Sequence, residues 1–183
     1  MKPRRQRGSL NREAILHAAE AIVAADGFDA LSMRAVAGEL EAAPMALYRH
    51  VATKDELVGA LLDRVLGRFE ADPPGADWHQ DLGHFARSHR RLLVDHPWAV
   101  PALFANPSPG LNATRIGEHA LTILRRGGLS DAHAVATFSG ILALNYGWTA
   151  FARMRDVAAA DVQAALAALP ASALTAAASP GAI

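Results

Sequence analysis

Cysteine is absent from this 183-residue sequence. Its absence excludes disulfide-linked scaffolds, zinc sites built on thiolates, and cysteine nucleophiles. The sequence also lacks a glycine-rich phosphate loop, an HExxH motif and a nucleophile elbow, and neither Glu118 nor Asp131 has an evident acid–base partner. We therefore predict that the protein is not an enzyme and that it uses no cofactor.

A metal site is also disfavoured. His79, His84 and His89 recur at five-residue spacing in a segment with helical periodicity. Five residues turn a helix by about 140° beyond one full rotation, so the three imidazoles point in different directions. We predict no metal ligands among them.

Acidic residues are missing from the first twelve positions, although the whole chain has zero formal net charge. Zero net charge argues against a protein that coats nucleic acid by bulk electrostatics. The basic arm is either a solvated terminus or a local contact to a polyanion. It has no apolar stretch of the kind that a secretion signal needs, so we expect a cytoplasmic protein. The basic residues of the arm are Lys2, Arg4, Arg5, Arg7 and Arg12.

Long hydrophobic runs are scarce, with one borderline case. Residues 134–152 contain no charged side chain over nineteen positions, which is close to the roughly 20 residues that span a bilayer. Small residues and Asn145 dilute this segment, and the chain has no second candidate. We therefore predict a buried helix rather than a membrane span.

Helical periodicity, in contrast, runs through nearly the whole chain, and no stretch alternates apolar and polar residues as a strand would. An all-α fold is predicted. Ser32 is a good N-cap, Pro44 suits the first position of a short helix, and Thr53 with Glu56 forms a capping box. The predicted helices run from Asn11 to Gly27, from Ser32 to Leu40, over 44–51, from Thr53 towards residue 70, and over 78–94, 98–105, 111–126, 131–155 and 158–169.

Residues 71–76, ADPPGA, are the clearest boundary in the chain. Two adjacent prolines and a glycine do not continue a helix. We predict two domains, 1–70 and 71–183.

The second and third helices, joined by a tight turn, form a pattern typical of a DNA-reading helix-turn-helix. At about 100° per residue, Leu47 and Val51 point into the core, and Met45 and Arg49 then point away from it. The flanking positions are Ala46 and Tyr48, with His50 nearer the edge of the core.

The segment LSMRAVAGELEAAPMALYRHVATKDELVGALLD resembles the DNA-binding domain of the tetracycline-repressor (TetR) family. The resemblance covers residues 11 to about 63 and includes the LYRHV signature and Lys54. It implies a three-helix helix-turn-helix domain followed by a helical-bundle domain that binds a ligand and dimerises.

The resemblance assigns roles to residues of the first domain. Arg49 is a candidate for bidentate bonding to guanine, and Met45 and Ala46 for apolar contacts to base edges. Ser32 and Tyr48 are candidate phosphate contacts, but Ser32 could instead serve only as a helix cap, and Tyr48 could be a partly packed core residue. The other implied DNA contacts are Ser32, Arg34, Tyr48, His50 and Lys54, with Arg4, Arg5 and Arg7 in a neighbouring minor groove or adding unspecific affinity.

Beyond residue 76 the resemblance rests on size and helical order. Small residues spaced 4-3-4-3 form one stripe along the helix predicted over 131–155. The family pattern makes this stripe a dimer face that packs with the last helix in a four-helix bundle, whereas the alternative is packing within one subunit. The stripe consists of Ala136, Gly140, Ala143, Gly147 and Ala150.

A mainly apolar wall with few polar groups is typical of a small-molecule pocket, although an ordinary filled core remains the alternative. The candidate ligand-binding residues are Phe85, His89, Leu92, Trp98, Phe104, His119, Ile123, Phe138, Leu142, Asn145, Trp148 and Thr149.

The resemblance implies a homodimeric repressor that binds a palindromic operator and is released by a small, mostly apolar effector. The alternative is a helical ligand-binding or enzymatic protein on the same scaffold, without operator recognition. The joint presence of Tyr48, Arg49, Lys54 and the basic arm favours the regulator.

Overall fold

A computed structural model describes residues 10–106 and 110–167, with side chains to residue 156. Within these ranges the chain forms α-helices and one short 3₁₀ turn and no strand, which confirms the predicted all-α fold. The helices are α1 Arg12–Asp26, α2 Met33–Glu39, α3 Pro44–Leu47, α4 Lys54–Leu66, α5 Trp78–Asp95, α6 Ala99–Ala105, α7 Leu111–Arg126 and α8 Asp131–Ala167.

The first two helices begin at the predicted caps. The side chain of Asn11 accepts a hydrogen bond from the Ala14 N–H at 2.8 Å, and the Ser32 hydroxyl accepts one from the Ala35 N–H at 3.1 Å. Gly27 ends α1 at a φ of 84°, a left-handed conformation that favours glycine. The predicted inward face of α1 is buried: Ile15, Ala18, Ala19 and Ile22.

The third helix is shorter than the predicted 44–51, because only Pro44–Leu47 is regular α-helix. The Val51 N–H still donates to the Leu47 carbonyl at 3.0 Å, so a helical hydrogen bond closes the segment. Glu41 turns the chain between α2 and α3 at a φ of 51°.

The capping box at the start of α4 is only half formed. The Thr53 hydroxyl accepts from the Glu56 N–H at 3.0 Å, as predicted. The Glu56 carboxylate, however, accepts from the Ala52 N–H at 2.7 Å and from Arg12, instead of returning to the N–H of Thr53. Glu56 therefore ties α4 to α1 as well as capping it.

Asp63 of α4 caps α7 from outside that helix. Its carboxylate accepts hydrogen bonds from the Asn112 backbone N–H at 2.8 Å and from the Asn112 side chain at 3.0 Å. Gly110, the residue just before α7, has a φ of 106°, and a Cβ there would meet the Asp63 carboxylate. The approach of the two helices therefore requires glycine at residue 110.

In the C-terminal half, α5, α6 and α7 lie within one residue of their predicted bounds. The prediction of two further helices, 131–155 and 158–169, is wrong within the described residues, because α8 runs unbroken from Asp131 to Ala167. No glycine or proline lies between residues 148 and 167, and the alanine-rich sequence there favours helix.

Over residues 131–156 only one face of α8 is buried, whereas a buried helix was predicted for 134–152. Ala134, Asn145 and Thr149 are buried, and the opposite side of the helix is exposed. No helix in the described ranges combines the length and hydropathy needed to cross a bilayer.

The external cap of α7 gives a stability prediction. Asp63→Ala removes two hydrogen bonds from the first turn of α7 and should lower the free energy of unfolding by about 1–2 kcal/mol. Urea denaturation measures the change. The control is Asp156→Ala, at an exposed carboxylate with no described ion pair, which should change stability by less than about 0.5 kcal/mol. Equal effects of the two substitutions would refute the capping role.

Candidate DNA-binding surface and ligand-binding core

The short third helix presents the side chains that sequence geometry assigned to the outside. Leu47 and Val51 are fully buried, whereas Met45 is 76% exposed and Arg49 is also exposed. Tyr48 is 44% exposed, and Ala46 and His50 are half-buried. The predicted orientation of this helix is therefore confirmed.

Arg12 holds the position of the segment that follows α3. Its guanidinium donates to the His50 carbonyl at 3.1 Å and to the Glu56 carboxylate at 2.5 Å. The Arg12 guanidinium, helped by the Ala52 N–H, lowers the pKa of the Glu56 carboxyl below its usual value. One residue of the basic arm thus joins α1, the end of α3 and the start of α4.

The remaining DNA-binding candidates lie around this helix-turn-helix. Arg34 is exposed on α2, and Lys54 is exposed at the first position of α4. Ser32 is half-buried and acts as the cap of α2, which is the alternative role predicted for it. Arg4, Arg5 and Arg7 lie outside the described residues.

The predicted ligand-binding residues do not form one group. Phe85, His89, Leu92, Ile123, Asn145 and Thr149 are buried between α5, α7 and α8, with His119, Phe138 and Leu142 half-buried. Phe85 lies at the centre of this core, with its ring centroid 5.9 Å from His89, 6.1 Å from His119 and 6.2 Å from Phe138.

Three predicted members lie elsewhere. Trp98 stacks on Phe28 at a centroid distance of 5.2 Å and an angle of 6°, at the junction between α6 and the first domain. Phe104 is 73% exposed, and Trp148 is 48% exposed beneath the Arg90 guanidinium. The structure therefore corrects the prediction that these three residues line one pocket with Phe85. Their side-chain type indicated burial, but Phe104 and Trp148 are only partly covered, by Tyr146 and Arg90, and Trp98 turns to the first domain.

His89 and Asn145 form a buried polar pair. The Asn145 amide nitrogen donates to the Ala86 carbonyl at 3.1 Å and lies 3.1 Å from His89 Nδ1. Because an amide nitrogen is only a donor, Nδ1 must accept, and the proton of a neutral His89 is on Nε2. Burial lowers the pKa of His89 to about 4, so the ring is neutral at pH 7.

Thr149 lies one turn after Asn145 on the same face of α8. Its hydroxyl oxygen is buried and has no hydrogen-bond partner among the described residues. A buried polar atom without a partner is costly, and a bound molecule or water would satisfy it. Thr149 is thus an available hydrogen-bonding group in this core.

The cavity beside Phe85 is small. A cavity of about 30 Å³ is lined by Phe85, His119 and Ile123 from the predicted set. Phe69, which the sequence analysis did not select, lines the same cavity and packs edge-on against Phe85 at 5.5 Å. Tyr146 was also missed, although its ring lies 6.0 Å from that of His89. Tyr146 directly follows the predicted Asn145, which is a signal that was available, whereas Phe69 is distant in sequence from every predicted position.

The stripe of small residues on α8 is exposed at all five positions. A Cβ added at Gly140 or Gly147 would have no described atom within 4 Å. Within the described residues, the stripe therefore does not pack inside one subunit, contrary to the alternative prediction. Exposed Phe151 and Met154 extend the same side of the helix.

Comparison with known families gives two matches. Residues 15–61 match bacterial regulatory proteins of the tetR family, and residues 70–181 match the tetracyclin repressor-like C-terminal domain. The chain therefore belongs to the TetR family, which confirms the resemblance seen in its sequence.

Curated relatives are transcriptional regulators. An HTH-type transcriptional regulator of Saccharopolyspora erythraea is 34% identical over 146 residues, which are 79% of this chain and 61% of the relative. The HTH-type transcriptional repressor DrrR1 of Streptomyces coeruleorubidus is 37% identical over 130 residues, 70% of this chain and 48% of the relative. The matches thus span about half to three-fifths of these relatives.

Solved structures share the fold over most of the chain. ActR of Streptomyces coelicolor in complex with actinorhodin has a TM-score of 0.76 and 29% identity, covering 91% of this chain and 82% of ActR. BioQ with its natural double-stranded DNA operator has a TM-score of 0.73 and 29% identity, covering 85% of this chain and 94% of BioQ.

Burial of His89 predicts a pH dependence of stability. The unfolded imidazole titrates near 6.5 and the folded one at about 4, so the unfolded state takes up a proton first as the pH falls. The stability of the fold with a neutral His89 is therefore at its full value above pH 6.5 and decreases as the pH falls towards 4. Urea titrations should show an unfolding free energy lower by about 2 kcal/mol at pH 5 than at pH 7 on account of His89.

The control for this prediction is a pair of substitutions. His89→Gln should remove that part of the pH dependence, whereas His17→Gln, at an exposed position of α1, should preserve it. The same pH dependence in the wild type and His89→Gln would contradict a neutral buried imidazole.

Proposed function

We propose that this chain is a ligand-responsive repressor that binds a palindromic operator as a homodimer, acting in the cytoplasm and catalysing no reaction. Residues 1–70 are the DNA-binding unit, and residues 71–183 bind the effector and dimerise. The observation that carries the proposal is the orientation of α3, with Leu47 and Val51 buried and Met45 and Arg49 exposed. An exposed short helix held by two buried side chains fits a major groove.

Within this unit, base reading falls to few residues. Arg49 offers two parallel donors to guanine O6 and N7, and Met45 and Ala46 offer apolar contact to thymine methyl groups. Lys54 and Tyr48 contact phosphates, as do Arg34, His50 and the Ser32 hydroxyl. The arm with Arg4, Arg5 and Arg7 adds electrostatic affinity.

Dimerisation is proposed through the exposed side of α8. The five-residue stripe allows close approach of a second α8, and neighbouring Phe151 and Met154 supply apolar surface. A two-fold dimer places two copies of α3 in successive major grooves, about 34 Å apart.

The effector is proposed to enter the core between α5, α7 and α8. Phe85, His119 and Ile123 already border a cavity that lies between α5, α7 and the segment after α4. On the α8 side of the core, Thr149 offers a hydroxyl without a partner among the described residues. A neutral His89 suits an uncharged polar handle on a mostly apolar molecule. The complexes of ActR with a small molecule and of BioQ with its operator support both halves of the proposal.

The two units communicate through α4. Asp63 bonds α4 to the first turn of α7, which carries Ile123 and His119 of the core. An effector that binds one arrangement of α7 more tightly than another therefore also selects a position of α4.

The first functional prediction concerns base reading. Arg49→Ala should weaken operator binding by about 1–3 kcal/mol and relax preference at one base pair of each half-site. Quantitative gel shifts on an operator from the DNA flanking its own gene, with all single-base variants, measure this. Arg91→Ala, exposed on α5, is the control and should bind as the wild type. Uniform weakening on all sequences would argue against base readout.

Phosphate contact by Lys54 predicts a different signature. Lys54→Ala should lower affinity on every duplex alike and reduce the slope of log K against log salt by about one unit. Titration at four salt concentrations gives the slope. A slope equal to that of the wild type means that Lys54 does not contact phosphate.

The dimer surface is tested by overfilling it. Gly140→Trp should shift the protein to monomer in sedimentation equilibrium without unfolding it, because the glycine has no described neighbour within the chain. Thr114→Trp, exposed on α7, should remain dimeric. A folded Gly140→Trp dimer places the subunit contact elsewhere.

A further inference from the structure

A second space, large enough for a small molecule, lies at the junction of the two units. It has a volume of about 490 Å³, within the range of roughly 300–1,000 Å³ found for ligand sites. Its walls come from α1, α4, the segment between α5 and α6, and α8. The cavity beside Phe85, in contrast, holds only about 30 Å³.

The inner wall of this junction cleft is apolar and aromatic. Val23, Leu61 and Val65 contribute aliphatic surface, and the stacked rings of Phe28 and Trp98 form one end. Trp98 was predicted to bind a ligand, and the structure places it here rather than among the core residues around Phe85.

The rim of the cleft is rich in hydrogen-bond donors. Glu20 contributes a half-buried carboxylate to the rim, and Arg64 and Arg68 already form ion pairs with it. Arg68 also donates to His96 Nε2 at 3.3 Å, and burial together with Arg68 lowers the pKa of His96. His96 is therefore neutral at pH 7 with its proton on Nδ1, which makes it a donor.

Arg153 is a lining residue whose positive charge has no partner among the described residues. This exposed guanidinium lines the cleft and has no ion pair or hydrogen bond from its side chain to any described residue. Among the described lining residues, Asp95 is the one carboxylate without such a partner, whereas the Arg153 guanidinium and the Nδ1–H of His96 both offer free donors. A donor-rich rim above an aromatic wall is complementary to an acceptor-rich, planar molecule.

We propose that the junction cleft binds an aromatic anion, with its carboxylate or phenolate on Arg153 and its rings against the wall formed by Val23, Phe28 and Trp98. This site is separate from the proposed effector core. Its occupant contacts α1 and α4 of the DNA-binding unit and Trp98 of the other unit, so it favours the arrangement in which these surfaces lie together. That effect on operator affinity rests on the proposed function, whereas binding itself does not.

Binding is tested on the full-length protein without DNA. Calorimetric titrations use 2-naphthoate and anthraquinone-2-carboxylate as probes, with 2-naphthamide as the uncharged analogue. Saturable 1:1 binding per chain is expected, with the naphthoate bound at least about fivefold more tightly than the amide. No binding of either anion, or equal binding of naphthoate and amide, overturns the proposal.

Two matched pairs of variants locate the probe. Ala24→Trp fills the cleft from an exposed position on α1 and should abolish binding, whereas Ala25→Trp, exposed outside the cleft, should not. Arg153→Ala should weaken naphthoate about tenfold and leave the amide unchanged, whereas Arg155→Ala, whose guanidinium lies over Phe151, should bind as the wild type. Unchanged naphthoate affinity in folded Ala24→Trp and Arg153→Ala places the probe elsewhere and overturns the assignment.

Because no operator is present, these outcomes do not depend on repression. A protein that binds the probes but no operator would refute the proposed function and leave the site intact. A protein that binds operator but not the probes would overturn the junction site and leave the proposed function intact.

Discussion

Burial of Leu47 and Val51 is the constraint on which the DNA-binding unit depends. Both side chains have no exposed surface, and α3 has only one turn of regular helix, so its direction is set by these two anchors rather than by its own hydrogen bonds. With the anchors inside, Arg49 and Met45 have no position except outside. The exposure of these two side chains, on which the proposed reading of a DNA groove depends, then follows from the packing of the domain core.

The fourth helix carries this constraint to the rest of the molecule. Arg64 and Arg68 bond to Glu20 of α1, and Asp63 bonds to Asn112 of α7. Exposed ion pairs contribute little stability singly, but here they join α4 to α1, and the hydrogen bond from Asn112 to Asp63 joins α4 to the second unit. Movement of α7 is therefore expected to reach α1 through α4, which is a direct physical route for the proposed effector control.

Local signals predicted much of this fold. The caps at Asn11, Ser32 and Thr53, the stop at Gly27, and the bounds of α5 to α7 follow from residues close in sequence, where propensity and capping act. The division of α8 near residue 156 was wrong within the described residues, because no glycine or proline between residues 148 and 167 ends the helix there. Periodicity also identified the exposed face of α3, since its two anchors lie on one side.

Long-range contacts limited the prediction of sites. The apolar character of Trp98, Phe104 and Trp148 is visible in sequence, but which neighbour covers each one depends on how the helices are placed. Trp98 stacks on Phe28 of the other unit, whereas Phe104 and Trp148 are exposed. The bond between Asp63 and Asn112 joins residues 49 positions apart and leaves no local pattern.

The central claim is that α3 is presented twice per dimer to successive major grooves. Selection of duplexes from a random pool by the purified full-length chain tests it most directly. The account predicts enrichment of a palindrome whose half-sites are centred about 34 Å apart. Failure to enrich any sequence over random competitor, or enrichment of a single isolated half-site, would contradict it.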